Sequence, residues 1–154
     1  MSDPVSTAIV SSTTLIAAFL GYKVTASQEK RRTEELRKAA WKTVQAGTIT
    51  DLHNELALLK DELAKGADVD KVHDIPDLVA FPPRNRAITL CTRLGNQDLG
   101  NEISKYLETL KDEVTAWKGS EPWVAGKPKT WLTVHSKLGE FDKKLGKEFR
   151  LLKP

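Results

Sequence analysis

Apolar residues recur along this chain three and four apart, the period of an α-helix, in several separate stretches. Ile49, Leu52, Leu56, Leu59 and Leu63 hold that alternation strictly, and Lys65-Gly66 supplies a stop. The stripe is narrow enough for a helix–helix seam, so Leu52, Leu56, Leu59 and Leu63 are expected to dock a partner. A short helix follows from Ala87, Ile88, Cys91 and Leu94, stopped by Gly95. The next opens at Asn96 or Gln97 and carries Leu99, Ile103, Tyr106, Leu110, Val114 and Trp117 on one face. The last carries Trp131, Val134, Leu138, Phe141, Leu145, Phe149 and Leu152. No stretch sustains the period-two alternation of a strand. The fold class expected is all-α: a bundle of about four amphipathic helices.

Polar punctuation divides these elements. Gly47 and the β-branched Thr48-Ile49-Thr50 are expected to interrupt or bend the helix that precedes them. Residues 66–85 read as an irregular connection, because Pro76, Pro82 and Pro83 break the pattern and only 77–80 suggests a turn of helix. Ile75, Leu78, Val79 and Phe81 should tie that connection to the bundle. The chain therefore divides into 1–26, a stalk over 27–47, and a bundle over 48–154.

The first segment has a different character. Between Asp3 and Lys23 there is no charged residue. Residues 5–22 would form a helix ~27 Å long, close to the hydrocarbon thickness of a bilayer. Ser6, Thr7, Ser11, Ser12, Thr13 and Thr14 dilute its apolarity, but their hydroxyls can bond back to carbonyls one turn earlier. A single transmembrane helix is the expectation. A secretory signal would need a basic start, which Met1-Ser2-Asp3-Pro4 lacks, although Val24-Thr25-Ala26 resembles a cleavage site. A buried first helix in a water-soluble globule is the remaining alternative. Lys23, Lys30, Arg31, Arg32, Arg37 and Lys38 all follow the segment, which places the N-terminus outside and the remainder in the cytoplasm. Of these, Lys23, Lys30, Arg31 and Arg32 are candidates for headgroup contact. Thr7, Ser11, Thr14, Ala18 and Gly21, continued by Thr25, form one stripe of small residues suited to close helix association in lipid.

Composition adds little that is specific. The chain is 40% hydrophobic and 29% charged, too apolar for a disordered polymer. Its net charge of +3 is too mild to indicate a nucleic-acid partner. Cys91 is the only cysteine, which excludes an intrachain disulfide and fits a reducing compartment. On an apolar helical face it reads as a packed, inert thiol.

Candidate chemistry is sparse. Asp68, Asp70, His73 and Asp74 lack the glycine and distal Glu of a calcium loop and the paired Cys or His of a zinc site. They read as a solvated acidic loop. His53 and His135 stand alone on amphipathic helices. The run Leu94–Gly100 has two glycines but neither the preceding strand nor the Lys-Ser/Thr of a phosphate loop. Trp117, Trp123 and Trp131 bracket one loop with Lys118, Lys127 and Lys129; the expectation is that Trp117 and Trp131 pack at the closed end of a hairpin while Trp123 is exposed for docking. No catalytic residue, cofactor site or metal site is expected.

These readings combine into a non-enzymatic, membrane-anchored interaction or assembly protein, such as a small accessory subunit of a larger membrane complex. Its expected partners are other membrane subunits, itself and the bilayer. The competing function is a membrane-perturbing effector of the pore-forming or lysis type, or a signalling effector, suggested by the hydroxyl-rich anchor.

Overall fold

The computed structural model describes the backbone of residues 4–65, 77–117, 123–124 and 127–153, and the side chains of 23–65, 77–114 and 131–153. The fold is all-α, with four helices among the described residues: α1 (Pro4–Lys65), α2 (Pro82–Cys91), α3 (Gln97–Trp117) and α4 (Lys129–Leu152). Two strands of two residues each, β1 (Trp123–Val124) and β2 (Lys127–Pro128), pair antiparallel between α3 and α4, with Trp123 opposite Pro128. Strands this short carry no alternation to read in a sequence. The chain divides into two compact units, Met1–Lys42 and Thr43–Pro154.

Helix α1 runs unbroken through Gly47 and the Thr-Ile-Thr run, contrary to the expected bend. Local bonding accounts for this. Thr48 Oγ1 donates to the Val44 carbonyl at 3.0 Å and Thr50 Oγ1 to that of Ala46 at 2.9 Å, so both hydroxyls are satisfied inside the helix. The penalty of one helical glycine, about 1 kcal/mol, is too small to outweigh the packing that begins here. Every residue from 23 to 44 is exposed; burial starts at Gln45 and returns at 48, 49, 52, 56, 59 and 63.

Pro82 and Pro83 also act otherwise than the irregular connection over 66–85 implies. They occupy the first turn of α2, where a missing N–H costs nothing and the fixed φ suits a helix. Phe81 caps that helix in extended conformation. Just before it, Asp77 folds the chain back, its carboxylate accepting from the Val79 N–H at 3.0 Å and its carbonyl from Ala80. Helix α3 begins where the sequence placed it, with the Asn96 side chain accepting from the Leu99 N–H at 3.1 Å as an N-cap.

The core of the second unit is built from four apolar stripes. Leu52, Leu56, Leu59 and Leu63 from α1 meet Ala87 and Cys91 from α2, Ile103, Leu107 and Leu110 from α3, and Val134, Leu138, Phe141 and Leu145 from α4. Each fully buried Leu, Phe or Ile contributes about 1.5–3 kcal/mol relative to exposure. Tyr106 packs edge-on against Phe141, ring centroids 5.5 Å apart. At one point α3 and α2 touch through backbone: a Cβ added at Gly100 would sit 2.5 Å from the Cys91 carbonyl oxygen.

Three polar side chains tie the helices together. Gln45 is buried; its Nε2 donates to the Arg93 carbonyl at 3.1 Å while its Oε1 accepts from the Gly95 N–H at 2.6 Å. One amide thus satisfies both faces of the turn between α2 and α3. Buried Arg84 reaches from α2 to α3, its Nε donating to the Leu107 carbonyl at 2.8 Å. Trp131 Nε1 donates to the Leu63 carbonyl at 3.2 Å. That carbonyl belongs to the last turn of α1, where it has no partner within the helix.

Candidate interaction surfaces

The leucines expected to dock a partner are spent inside the fold. Leu52, Leu56, Leu59 and Leu63 are at most 2% exposed, covered by the chain's own α2, α3 and α4. Helical periodicity shows that a face is apolar but not what covers it, so the docking assignment is corrected to a core assignment. The side chains of Thr7, Ser11, Thr14, Ala18, Gly21, Trp117 and Trp123 lie outside the described set, and the acidic run Asp68, Asp70, His73 and Asp74 lies outside the described residues altogether.

The cations proposed for headgroup contact, Lys23, Lys30, Arg31 and Arg32, are all exposed on α1. They belong to a wider charge asymmetry. Residues 23–42 hold seven Lys/Arg against three Glu, whereas Thr43–Pro154 holds seventeen of each sign. All of the chain's positive excess therefore sits in one helical segment. At 100° per residue, Lys23, Lys30, Arg31, Arg37, Lys38 and Lys42 fall within about 140° of arc. The same segment exposes large apolar side chains: Leu36 is 64% and Trp41 53% accessible. Trp41 follows Arg37 and Lys38 by four and three residues, which puts it on the basic arc. Exposed tryptophan is uncommon on a protein surface and enriched at contact sites.

The second unit offers shallower features. A polar groove of about 510 Å³ lies between α1 and α2, lined by Asp51, Glu55, Arg86 and Arg93 among others. Glu55 and Arg86 close one another off across it in a two-pronged pair, at 2.6 and 3.0 Å. A smaller hollow of about 230 Å³ is formed by Ile49, His53, Leu145, Gly146 and Phe149. Beside it, Asp142 faces His53 Nδ1 at 3.5 Å and Lys60 Nζ at 3.8 Å, and its Oδ1 is buried without a hydrogen bond. On α3 and α4, Lys144 and Lys137 converge on Glu102, and the hydrogen bond from Lys144 is the main reason its carboxyl titrates below the usual range. This cluster is exposed, so solvent screens its pairs and they add little to stability.

Among the described residues, no group of three or more His, Cys, Asp or Glu is close enough to hold a metal ion. Cys91 is buried at 2% exposure, and burial pushes its thiol up to about 11. A thiol held protonated at neutral pH is a packing group and a poor nucleophile. Among the described residues, no helix is long and apolar enough to cross a membrane. Residues 5–22, the segment proposed as the anchor, have their side chains outside that set.

No family model, curated protein or solved structure matches the chain. The functional reading therefore rests on the surfaces described above. The charge excess was visible in the sequence as the cations following residue 22. The exposure of Leu36 and Trp41 was not, because helical spacing does not say whether an apolar position is covered.

Proposed function

We propose that this chain is a membrane-anchored, non-enzymatic interaction or assembly protein, a small accessory subunit that holds a helical domain against a larger membrane complex. The observation carrying this reading is the order of surfaces along one helix. Helix α1 first bears the uncharged residues 5–22, next the exposed basic residues 23–42, and then the leucines of a packed core. A charge-depleted stretch of bilayer length with cations only on its C-terminal side is the pattern of a helix inserted with its N-terminus outside. Thr7, Ser11, Thr14, Ala18 and Gly21 would let that helix pack closely against a neighbour in lipid. Lys23, first after the uncharged stretch, would lie at the headgroups, with Lys30, Arg31 and Arg32 above it.

Charging the segment tests the anchor. Lysine near the middle of a membrane helix costs about 2.5–3.5 kcal/mol. The double substitution Leu15→Lys/Ile16→Lys should move the full chain from the membrane to the soluble fraction of lysed cells. If the doubly charged variant stays with membranes as fully as the parent, residues 5–22 are not what holds the chain there.

A further inference from the structure

The basic segment extends too far along α1 for lipid to use all of it. A helix rises 1.5 Å per residue, so Arg37 lies ~22 Å and Lys42 ~30 Å beyond residue 22 along the axis. Electrostatic attraction to a charged surface decays over ~8 Å at physiological ionic strength. On an anchored chain, Lys23 is within reach of headgroups, while Arg37, Lys38 and Lys42 are two to four screening lengths away. Laying the segment flat would require breaking α1, which is continuous from Pro4 to Lys65. Yet the distal part is where the apolar anchors are, with Leu36 and Trp41 more than half exposed.

We infer that residues 36–42 dock on an acidic protein surface, with Trp41 and Leu36 entering apolar pockets and Arg37, Lys38 and Lys42 facing carboxylates. Charge complementarity selects this occupant. A second copy aligned on the same segment would set one excess of four positive charges against another, which is repulsive at contact distance. The chain's own second unit is neutral in sum and so offers the segment no net attraction. A separate acidic partner removes the repulsion and covers the tryptophan, and aromatic-plus-arginine anchors inside a polar rim are the usual composition of an interface centre. An amphipathic helix laid in a groove is the matching recognition mode: Trp41 lies on the basic arc, and Leu36, about 140° round the helix from it, faces the opposite wall of the groove.

This inference deepens the function proposed above, and its exclusion of lipid rests on the anchored reading; the argument from charge does not. The test is photo-crosslinking from position 41. The full chain carrying Trp41→p-benzoylphenylalanine is irradiated in the cells that make it, and the adduct is identified by mass spectrometry of the joined peptides. The expected adduct is an Asp/Glu-rich peptide of another protein, and Arg37→Gln/Lys38→Gln/Lys42→Gln in the same chain should lower its yield ~10-fold or more. An adduct with lipid, with nucleic acid, with the chain's own sequence or with a peptide lacking acidic residues overturns the inference. So does the absence of any adduct, or a yield unchanged by the triple substitution. A chain that washes out of membranes but still gives the acidic adduct rejects the anchor and keeps the docking face; an anchored chain that gives only lipid adducts does the reverse.

Discussion

Alanine at Gly100 and alanine at the other helical glycines should change stability in opposite directions. Gly47, Gly139 and Gly146 sit within α1 and α4 with nothing within 4 Å of an added Cβ. Alanine there gains helix propensity and restricts the unfolded chain, worth about 0.5–1 kcal/mol each. Gly100 receives the same gain but places its Cβ 2.5 Å from the Cys91 carbonyl oxygen and 3.6 Å from Leu94 Cβ. The nearest obstacle is backbone, which cannot rotate away, so α2 and α3 must separate by several tenths of an ångström. Overpacking of this kind costs about 1–3 kcal/mol, which exceeds the propensity gain. The net expectation is a loss of roughly 1–2 kcal/mol for Gly100→Ala against a gain for the other three. Urea unfolding followed by circular dichroism, in mild detergent and with equal m-values, gives the comparison directly. If Gly100→Ala stabilises as much as Gly139→Ala, the close approach of α2 and α3 is refuted and with it the packing of the core around Cys91.

Other consequences follow from single contacts. Trp131→Phe leaves the Leu63 carbonyl without its donor at a buried helix end, and should cost about 1–3 kcal/mol beyond the smaller ring's loss of packing; a change under 0.5 kcal/mol in the urea midpoint analysis would show that bond to be idle. Cys91 should react with a maleimide at least ~100-fold more slowly in the folded chain than in urea, since its thiol is raised from 9.0 to about 11 and buried as well. The same shift has a pH signature: the unfolded thiol ionises first, so stability should fall as pH rises from about 9 to about 11, and Cys91→Ala should remove the part of the decline that sets in near 9, leaving the later part from Tyr106, whose phenol is also raised by burial.

Much of the architecture was legible because helical period and burial are directly linked. The α4 stripe from Trp131 to Leu145 and the α1 stripe from Leu52 to Leu63 are buried as their spacing demands. The failures are local competitions that periodicity does not decide. Proline both ends and begins helices, and at Pro82-Pro83 only the extended Phe81 before it marks a beginning. Gly47 with two threonines resembles a break until the back-bonds of Thr48 and Thr50 are seen. A face through Tyr106 and Leu110 leaves out the buried Leu107, although the apolar arc of a packed helix is wide enough to include it. The interaction surface was half legible. Charge clustering can be counted in a sequence, but which apolar stripe stays uncovered depends on where the bundle begins, and that point, Gln45, is set by a hydrogen-bonded clamp on residues 93–95.

The premise beneath the functional account is that residues 5–22 are solvated by hydrocarbon. Extraction of native membranes at alkaline pH, compared with a wash in high salt, addresses it most directly. A chain held by its first helix stays in the pellet through both treatments. A chain held at the surface only through Lys23 to Lys42 is released by salt, and recovery of the full-length protein in either supernatant would contradict the account.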